Sequence, residues 1–295
     1  MSDQAEKLRE IVAGLKDETK KKEDDSKKRK DLAEVYAITS GKGGVGKSNF
    51  TANLALALQD LGEKVVVFDA DLGMANLDVI LGVVSKYNLL HVINGEKNIE
   101  DIIVNGPKGL SLVPGGSGME ELANLSKYQI SNLIDSWRRL EEEYDLILID
   151  TAAGLASNVV DFILAANQII IIATPEPTSI TDAYGVIKAL SKHDIQENIK
   201  LVINQSENNK EADNVSQRLV TTAEEFLNLD VEFIGSLPKD EKVSKAVKNK
   251  TPFIIDFPKS KVSKQLNDIA IEISSKNNPS PKKKGFFSRI FGLGK

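Results

Sequence analysis

Residues 41–48 read Gly-Lys-Gly-Gly-Val-Gly-Lys-Ser, and this octet decides the fold. It matches the pattern G-x-x-x-x-G-K-[ST] at every defined position, in which glycines let backbone N–H groups turn onto phosphate oxygens. The apolar run at residues 35–40 predicts a buried strand before the loop, and residues 49–61 predict a helix after it. Because a helix N-terminus also attracts anions, the octet in this context predicts a phosphate-binding loop.

Two side chains of the octet have predicted roles in nucleotide binding. Lys47 is expected to reach the β- and γ-phosphates, and the Ser48 hydroxyl is expected to ligate Mg²⁺. The tetrad at residues 204–207, Asn-Gln-Ser-Glu, differs from the Asn-Lys-x-Asp motif that recognises guanine, so ATP is expected and not GTP. Together with the role of Ser48, this predicts ATP and Mg²⁺ as the cofactors. The predicted nucleotide-binding residues in the loop are Gly41, Lys42, Gly43, Gly44, Val45, Gly46, Lys47, Ser48 and Asn49.

The body of the chain, from about residue 32 to 276, alternates continuous apolar strands with helical stretches. This alternation predicts an α/β fold in which a doubly wound, mainly parallel sheet carries helices on both faces, as in P-loop NTPases. The predicted strands are residues 35–40, 64–69, 110–114, 146–150, 169–174, 200–204 and 231–234.

Length and composition narrow the class of protein further. The chain has 295 residues and a net charge of −5, which carries no overall nucleic-acid signal. It has no cysteine, so disulfides and cysteine-held metal clusters are excluded and a reducing compartment is favoured. The N-terminus has no signal-peptide core, and no apolar run approaches the length of a membrane span. We therefore expect a cytoplasmic protein.

Three aspartates follow predicted strands and are candidates for magnesium and water chemistry. Asp69 and Asp71 come after one strand, and Asp150 ends the apolar run Leu-Ile-Leu-Ile. In a doubly wound sheet the carboxyl ends of the strands line the ligand crevice, so all three are expected to face the nucleotide. The predicted metal-site residues are Ser48, Asp69 and Asp150, and Asp71 is a candidate to orient the attacking water.

The second lysine of the octet, Lys42, brings a family resemblance. The stretch Lys-Gly-Gly-Val-Gly-Lys-Ser resembles the deviant Walker A motif of the MinD/ParA class of dimerising ATPases. The resemblance implies an ATP-dependent homodimer in which Lys42 crosses the interface to the partner's nucleotide. Residues 71–78, Asp-Leu-Gly-Met-Ala-Asn-Leu-Asp, resemble switch I of the MinD branch, which implies that Asp71 positions the attacking water and Asn76 assists it.

Two further site residues are carried over from the same resemblance. Gly154, in a stretch that resembles switch II, is implied as a contact to the γ-phosphate. Asn204 ends a predicted strand, where relatives place an asparagine that contacts the base. An asparagine that simply ends a strand in a turn is an equally good interpretation of Asn204.

The C-terminal segment, residues 285–295, carries an apolar face beside cations. Phe286, Phe287, Ile290 and Phe291 gather on one side of a helix with Arg289 nearby, and Lys282–Lys284 precede them in a basic linker at residues 277–284. This pattern favours an interfacial helix on an anionic membrane surface, and it resembles the membrane-targeting tail of MinD-like proteins. A helix that docks on the body of the protein remains the alternative.

The N-terminal segment, residues 1–17, is predicted to be a short amphipathic helix, and residues 18–31 a charged linker. Asp3, Gln4, Ala5, Leu8 and Arg9 lie in a stretch that resembles the activating segment of the FlhG family of MinD-like ATPases. The resemblance implies that these residues bind an FlhF-type GTPase. A solvated helix explains the segment equally well by itself.

Taken in order along the chain, these segments favour a slow, Mg-dependent ATPase that acts as a membrane-associated dimerisation switch, as in the FlhG family. The FlhG resemblance implies control of flagellar number and placement. Rival interpretations are a MinD-type division-site regulator and a ParA-type DNA-partitioning ATPase, although the basic clusters lie in the linkers and tail and no specific nucleic acid is expected. A nucleotide-gated scaffold without catalysis is the alternative from another class.

Overall fold

One eight-stranded sheet runs through the centre of the chain. The computed structural model describes residues 32–71, 76–116, 125–193, 199–275 and 285–290. The strands are β1 (Glu34–Thr39), β2 (Val65–Ala70), β3 (Val104–Asn105), β4 (Ser111–Pro114), β5 (Leu146–Thr151), β6 (Gln168–Ala173), β7 (Ile199–Ser206) and β8 (Val231–Pro238).

The strands lie in the order β3-β4-β2-β5-β1-β6-β7-β8. Every neighbouring pair is parallel except β3 and β4. The mainly parallel sheet and its predicted strands are confirmed, whereas the short edge strand β3 was not predicted from the sequence.

The described α-helices cover both faces of this sheet. They are α1 (Lys47–Asp60), α2 (Leu77–Leu81), α3 (Leu89–Ile93), α4 (Ile99–Ile102), α5 (Lys127–Glu143), α6 (Ser157–Ala165), α7 (Pro177–Leu190), α8 (Asn209–Leu227), α9 (Glu241–Lys248), α10 (Phe253–Asp256), α11 (Lys261–Ser275) and α12 (Phe286–Ile290).

Alternation along β1 sends side chains into separate apolar layers. Tyr36 and Ile38 pack with α1 and α11 on one face. Val35 packs with α5 and α6 on the other face, and Ala37 packs there with α7 and α8. This is the layering expected of a parallel sheet whose strands are buried on both sides.

The same topology brings the carboxyl ends of β1, β2 and β5 together. Asp150 on β5 is in register with Ile38 on β1 and with Asp69 on β2. The loop that follows β1 and leads into α1 is the predicted phosphate loop. The fold therefore places that loop beside both aspartates, at the crevice where doubly wound sheets bind ligands.

The C-terminal helix α12 docks on the body, against α5 and α6. Phe286 and Phe287 are fully buried in the apolar layer that also holds Trp137. In the structure, residues 285–290 therefore form the alternative that the sequence left open, a helix docked on the body of the protein. Phe291 lies outside the described residues, as do the predicted helix at residues 1–17, its linker at 18–31 and the basic linker at 277–284. Within the described ranges, we find no helix with the length and apolarity that a membrane span requires.

Candidate functional site: a phosphate loop and two switch segments

The backbone of the octet adopts the turn that the glycines predict. Gly44 and Gly46 have φ angles of 79° and 92°, in the left-handed region that L side chains rarely adopt. Gly46 is also the residue before the first turn of α1. A Cβ atom at Gly46 would overlap the amide of Asn204, so glycine is required there by space as well as by conformation.

Lys47 and Asp150 form a buried ion pair at the base of the loop. The Lys47 Nζ donates to Asp150 Oδ1 at 2.6 Å, and the two side chains are 7% and 1% exposed. The Thr51 hydroxyl, one turn further along α1, also lies 3.3 Å from Asp150 Oδ1. Burying an unpaired charge costs much free energy, and the attraction between the two charges offsets this cost for both side chains.

Burial dominates the protonation of both strand-end aspartates. Desolvation raises the pKa of Asp150, and the Lys47 charge opposes this shift. Desolvation together with the nearby Asp150 charge raises the pKa of Asp69 to about 7. The crevice therefore holds closely spaced acids that favour a positive partner.

Asp69 contacts the backbone near both ends of the predicted switch I, residues 71–78. Its Oδ1 accepts from the Asp71 N–H at 3.2 Å, and its Oδ2 accepts from the Leu77 N–H at 3.3 Å. Asp71 is half-buried and close enough to raise the pKa of Asp150. Asn76 is exposed at the start of α2, and residues 72–75 between them lie outside the described residues.

Lys42 is held by its own chain through contacts at the start of α7. Its Nζ donates to Glu176 Oε2 at 2.7 Å and to the Thr178 hydroxyl at 3.0 Å. The side chains of Lys42 and Glu176 are 38% and 66% exposed, so the contact lies at the rim of the site. The hydrogen bond from Lys42, together with its charge, lowers the pKa of Glu176.

Gly154 and Asn204 both contact the phosphate loop or its flanks. The Gly154 N–H donates to the Ser40 carbonyl at 2.9 Å, and Gly154 has a φ of 96°. The Asn204 Nδ2 donates to the Val45 carbonyl at 2.7 Å. Asn204 therefore braces the loop, which neither of its two predicted interpretations included. Its contact to a base stays a prediction.

The structure also describes the other predicted nucleotide-binding residues of the loop, and their contact with nucleotide stays a prediction. Gly43 and Gly44 are exposed, and Asn49 in the first turn of α1 accepts a hydrogen bond from the Asn53 amide at 2.7 Å through its carbonyl. Gly41 lies against α7, where a Cβ atom would overlap the backbone of Asp182.

The donor set fits a magnesium–nucleotide complex. Asp150 Oδ2 is buried and has no hydrogen-bond partner among the described residues, which leaves one carboxylate oxygen for a magnesium-bound water. The Ser48 hydroxyl is close enough to lower the pKa of the same carboxylate. Mg²⁺ is held in proteins by few carboxylates together with substrate phosphates, which matches one aspartate and one hydroxyl beside a phosphate loop.

Sequence reasoning missed Thr51, Glu176 and Gln205. The Gln205 Nε2 lies 3.4 Å from the Gly44 carbonyl, and its φ is 59°. Thr51 follows Lys47 by one helical turn, so helix periodicity could have placed it beside the lysine. Glu176 and Gln205 are separated from the loop by more than 130 residues, and no local pattern identifies them.

The apolar face of α12 lies in a groove on the body. Phe286 and Phe287 contact the Trp137 ring with centroid distances of 5.3 Å and 4.9 Å. The Phe286 N–H donates to Glu141 Oε1 at 2.7 Å, and the Arg289 Nη2 donates to Asn167 Oδ1 at 3.5 Å. Ile290 is half-buried at the edge of the same layer.

Comparisons with known proteins identify the family of the chain. Residues 36–253 match the CobQ/CobB/MinD/ParA nucleotide binding domain. The antiactivator FleN of Pseudomonas aeruginosa is 39% identical over 242 residues, which is 82% of this chain and 86% of FleN. The flagellum site-determining protein YlxH of Helicobacter pylori is 36% identical over 261 residues, covering 86% of this chain and 88% of YlxH.

The fold is also similar to that of a solved structure that contains a nucleotide. The septum site-determining protein MinD of Pyrococcus horikoshii, complexed with Mg-ADP, is 27% identical, covers 82% of this chain and 96% of its own, and gives a TM-score of 0.66. The chain belongs to the CobQ/CobB/MinD/ParA family of nucleotide-binding ATPases, and within that family it is similar to flagellar regulators of the FlhG type.

Proposed function

We propose that this chain is an ATP-hydrolysing, membrane-associated dimerisation switch that regulates the number and placement of flagella. The observation that carries the proposal is a phosphate loop with a second lysine, Lys42, in a chain similar along most of its length to FleN and YlxH. FleN is an antiactivator and YlxH is a flagellum site-determining protein, and the proposed flagellar role rests on the similarity to them.

Nucleotide binding uses the buried ion pair at the base of the loop. A triphosphate offers Lys47 several oxygens in place of the single Asp150 Oδ1 that it now contacts at 2.6 Å. When Lys47 turns to the phosphates, the Asp150 carboxylate loses its counter-charge and favours a cation beside it. Loss of the lysine contact and gain of the metal are therefore coupled.

Hydrolysis would depend on Asp71 and on a bound magnesium ion. The ion, when bound, would neutralise charge on the phosphates and be held through Ser48 and Asp150. The backbone N–H of Asp71 donates to Asp69 Oδ1, so Asp71 is held at the end of β2, beside the crevice. We assign it the orientation of the attacking water, with Asn76 assisting.

Dimerisation would require Lys42 to exchange partners. It pairs with Glu176 and Thr178 of its own chain, at the exposed rim of the site. A second copy that brings its nucleotide to this rim offers Lys42 a phosphate in exchange for a carboxylate. Exposed ion pairs are weak, so the exchange has a low cost.

Membrane association would require α12 to leave its groove. Phe286 and Phe287 are fully buried against the body, so the same apolar face cannot contact lipid in the docked position. Released, these rings and Arg289 would enter the headgroup region of an anionic membrane. A single short helix binds weakly, and two copies on one dimer would bind more tightly through avidity.

The N-terminus would bind an FlhF-type GTPase through Asp3, Gln4, Ala5, Leu8 and Arg9, residues that lie outside the described ranges. A peptide of residues 1–17 is expected to accelerate GTP hydrolysis by the FlhF-type GTPase of the same organism. A Gln4→Ala peptide should stimulate less, and GTP turnover is the measurement. Unchanged turnover at saturating peptide would contradict this part of the proposal.

The flagellar role is tested by replacing the gene with its Lys47→Ala form in the organism that encodes the chain. Flagella are counted by electron microscopy, and a Lys64→Ala strain is the matched control because Lys64 is an exposed lysine far from the loop. We expect an altered number or position of flagella without anucleate minicells. Minicells with normal flagella would instead favour a MinD-type division-site regulator.

A further inference from the structure

Glu141 is a buried acid in the groove that holds α12. It lies in the last turn of α5 and is 3% exposed. Its Oε1 accepts the Phe286 N–H at 2.7 Å, at the first residue of the docked helix. One of its oxygens is therefore covered directly by the tail, and departure of the tail would uncover it.

The position of Glu141 is fixed by the body of the protein. Its carbonyl accepts the Ala33 N–H at 2.8 Å, where the chain enters β1. The neighbouring Asn167 accepts the Val35 N–H at 2.8 Å and also lies against the Arg289 guanidinium. The backbone that carries the carboxylate is thus held where the chain enters β1, and Glu141 lies on a helix and not on a loop.

The charge on Glu141 is only partly compensated. Glu141 takes part in none of the ion pairs found among the described residues. The charged groups that act on it are Arg289 of the tail and Arg138 and Glu142 of its own helix. Arg289 Nε is itself buried without a hydrogen-bond partner in the described part of the chain. The charge of the half-buried Arg289 therefore lies near the buried Glu141 carboxylate without forming an ion pair with it.

Burial determines the protonation of this group. Desolvation raises the pKa of Glu141 to about 7, although the Phe286 N–H and the Arg289 charge oppose the shift. In water a glutamate has a pKa of about 4.3. The docked groove therefore favours the neutral acid, whereas an open groove favours the carboxylate.

We propose that Glu141 is the release element of the C-terminal tail, a buried carboxylate that keeps α12 weakly docked and that tightens the docked state when it takes up a proton. The aromatic contacts to Trp137 hold the helix in place, and the cost of burying the charge limits how firmly they hold it. The link to membrane binding rests on the proposed function, but the docking equilibrium itself does not.

The sign of the pH dependence follows from the two states. The docked state binds the proton more tightly than the open state, so docking strengthens as pH falls through about 7 toward the ordinary range of a glutamate. A single proton changes the ratio of docked to open protein by at most about tenfold per pH unit. Above this range the ratio becomes constant and release is easiest.

The chain carries its own reporter of docking. Trp137 is its single tryptophan, and both buried phenylalanines of α12 contact its ring. We would record its fluorescence from pH 5.5 to 8.5 in the full chain without nucleotide. A chain without residues 285–295 supplies the signal of the open groove and controls for any other effect of pH on the indole.

Glu141→Gln is the decisive variant, because the amide keeps an acceptor for the Phe286 N–H and removes the charge. We expect the wild-type signal to move toward the open reference as pH rises, and the variant to remain docked at every pH. Glu143→Gln is the matched control: Glu143 is an exposed glutamate in the same helical turn and is not among the charged groups that act on Glu141, so its variant should behave as wild type.

Arg289→Met supplies a second variant that leaves the body intact if Glu141→Gln folds poorly. Loss of the Arg289 charge should extend the pH dependence of docking to higher pH, since that charge opposes protonation of Glu141. A wild-type signal that does not change with pH, or a Glu141→Gln chain that resembles the open reference, would overturn the proposal.

Anionic vesicles of phosphatidylglycerol separate this inference from the proposed function. If the tail binds membranes, wild-type co-sedimentation should increase with pH, and Glu141→Gln should sediment less. If no chain binds vesicles while the fluorescence behaves as expected, membrane binding by α12 is refuted and the role of Glu141 in docking is supported.

Discussion

Two buried carboxylates of this chain, Asp150 in the phosphate site and Glu141 in the tail groove, are stabilised in different ways. Both are almost inaccessible to water, with 0% and 3% of their surface exposed. Asp150 contacts the Lys47 ammonium at 2.6 Å, whereas Glu141 contacts a backbone N–H and has Arg289 only at longer range. Burial raises the pKa of each carboxyl, but only Asp150 has a close counter-charge.

The difference indicates how each site is opened. The Asp150 pair is stable until another anion takes the lysine, which is what a nucleotide brings. Glu141 has no close counter-charge to lose, so we expect a change in its protonation or a competing lipid surface to be enough to change its contact with the tail. We therefore expect one contact to respond to nucleotide and the other to respond to the surroundings of the tail.

The largest effect is expected from Lys47→Ala. The variant should lose ATP binding by 100-fold or more, on the order of 3 kcal/mol, because the phosphates lose their main cationic contact. It should also unfold more easily by about 3 kcal/mol, since Asp150 is left buried without a partner. Calorimetric titration with ATP and urea denaturation measure the two losses.

The double variant Lys47→Ala/Asp150→Asn is the control for that prediction. It should recover most of the stability and none of the ATP binding, because the amide needs no counter-charge. Wild-type affinity for ATP in the single variant would refute the assignment of the phosphate loop.

The next effect concerns the tail groove. Phe286→Ala should release α12, because the Trp137 ring loses its stacked partner and a buried phenylalanine is worth about 3 kcal/mol or more. Tryptophan fluorescence should resemble that of a chain without residues 285–295, while the melting temperature of the body changes little. Phe226→Ala is the matched control, since Phe226 is 73% exposed. A docked signal in Phe286→Ala would contradict the role given to this ring.

Asp71→Ala and Lys42→Ala should separate hydrolysis from dimerisation. Asp71→Ala is expected to bind ATP, hydrolyse it at least about tenfold more slowly and accumulate as a dimer, because water orientation is lost and binding is retained. Lys42→Ala should bind ATP and remain a monomer. Light scattering with ATP and Mg²⁺ distinguishes them. A normal Lys42→Ala dimer would mean that Lys42 does not act across the interface.

The smallest effect is expected from Glu176→Ala. Removing this carboxylate frees Lys42 from its own chain, so ATP-dependent dimerisation should strengthen by about two- to threefold, in keeping with the weakness of exposed ion pairs. Thr178→Val is the control that removes the second, uncharged partner and should change less. Analytical ultracentrifugation at several protein concentrations gives the dimer constants. Weaker dimerisation in Glu176→Ala would show that this acid supports the dimer instead of competing with it.

Much of the fold was predictable because its signals are local. Continuous apolar runs locate the predicted strands, and glycine spacing locates the loop, since Gly44 and Gly46 need backbone angles that other residues avoid. The edge strand β3 was missed because it has two residues and pairs antiparallel with β4 across a tight turn. A segment of that length has no periodicity to read.

The partners of the site residues were not predictable from local pattern. Lys42 contacts Glu176 across 134 positions of sequence, and Phe286 contacts Glu141 across 145. Asn204 was predicted either to contact a base or to end a strand in a turn, and in the structure it braces the Val45 carbonyl. Such pairings depend on which strand ends the topology brings together, and a sequence pattern does not contain that information.

By itself, the sequence determined that the chain has a phosphate loop on a parallel sheet, because both rest on backbone conformation and on periodic burial. It also determined that the C-terminal segment has an aromatic face, but not what that face contacts. The hydrophobic effect has no direction, so the same rings of Phe286 and Phe287 suit a lipid surface and a protein groove equally. Only the tertiary structure, which places Trp137 opposite them and Glu141 at the end of the groove, decided that they are buried in the body.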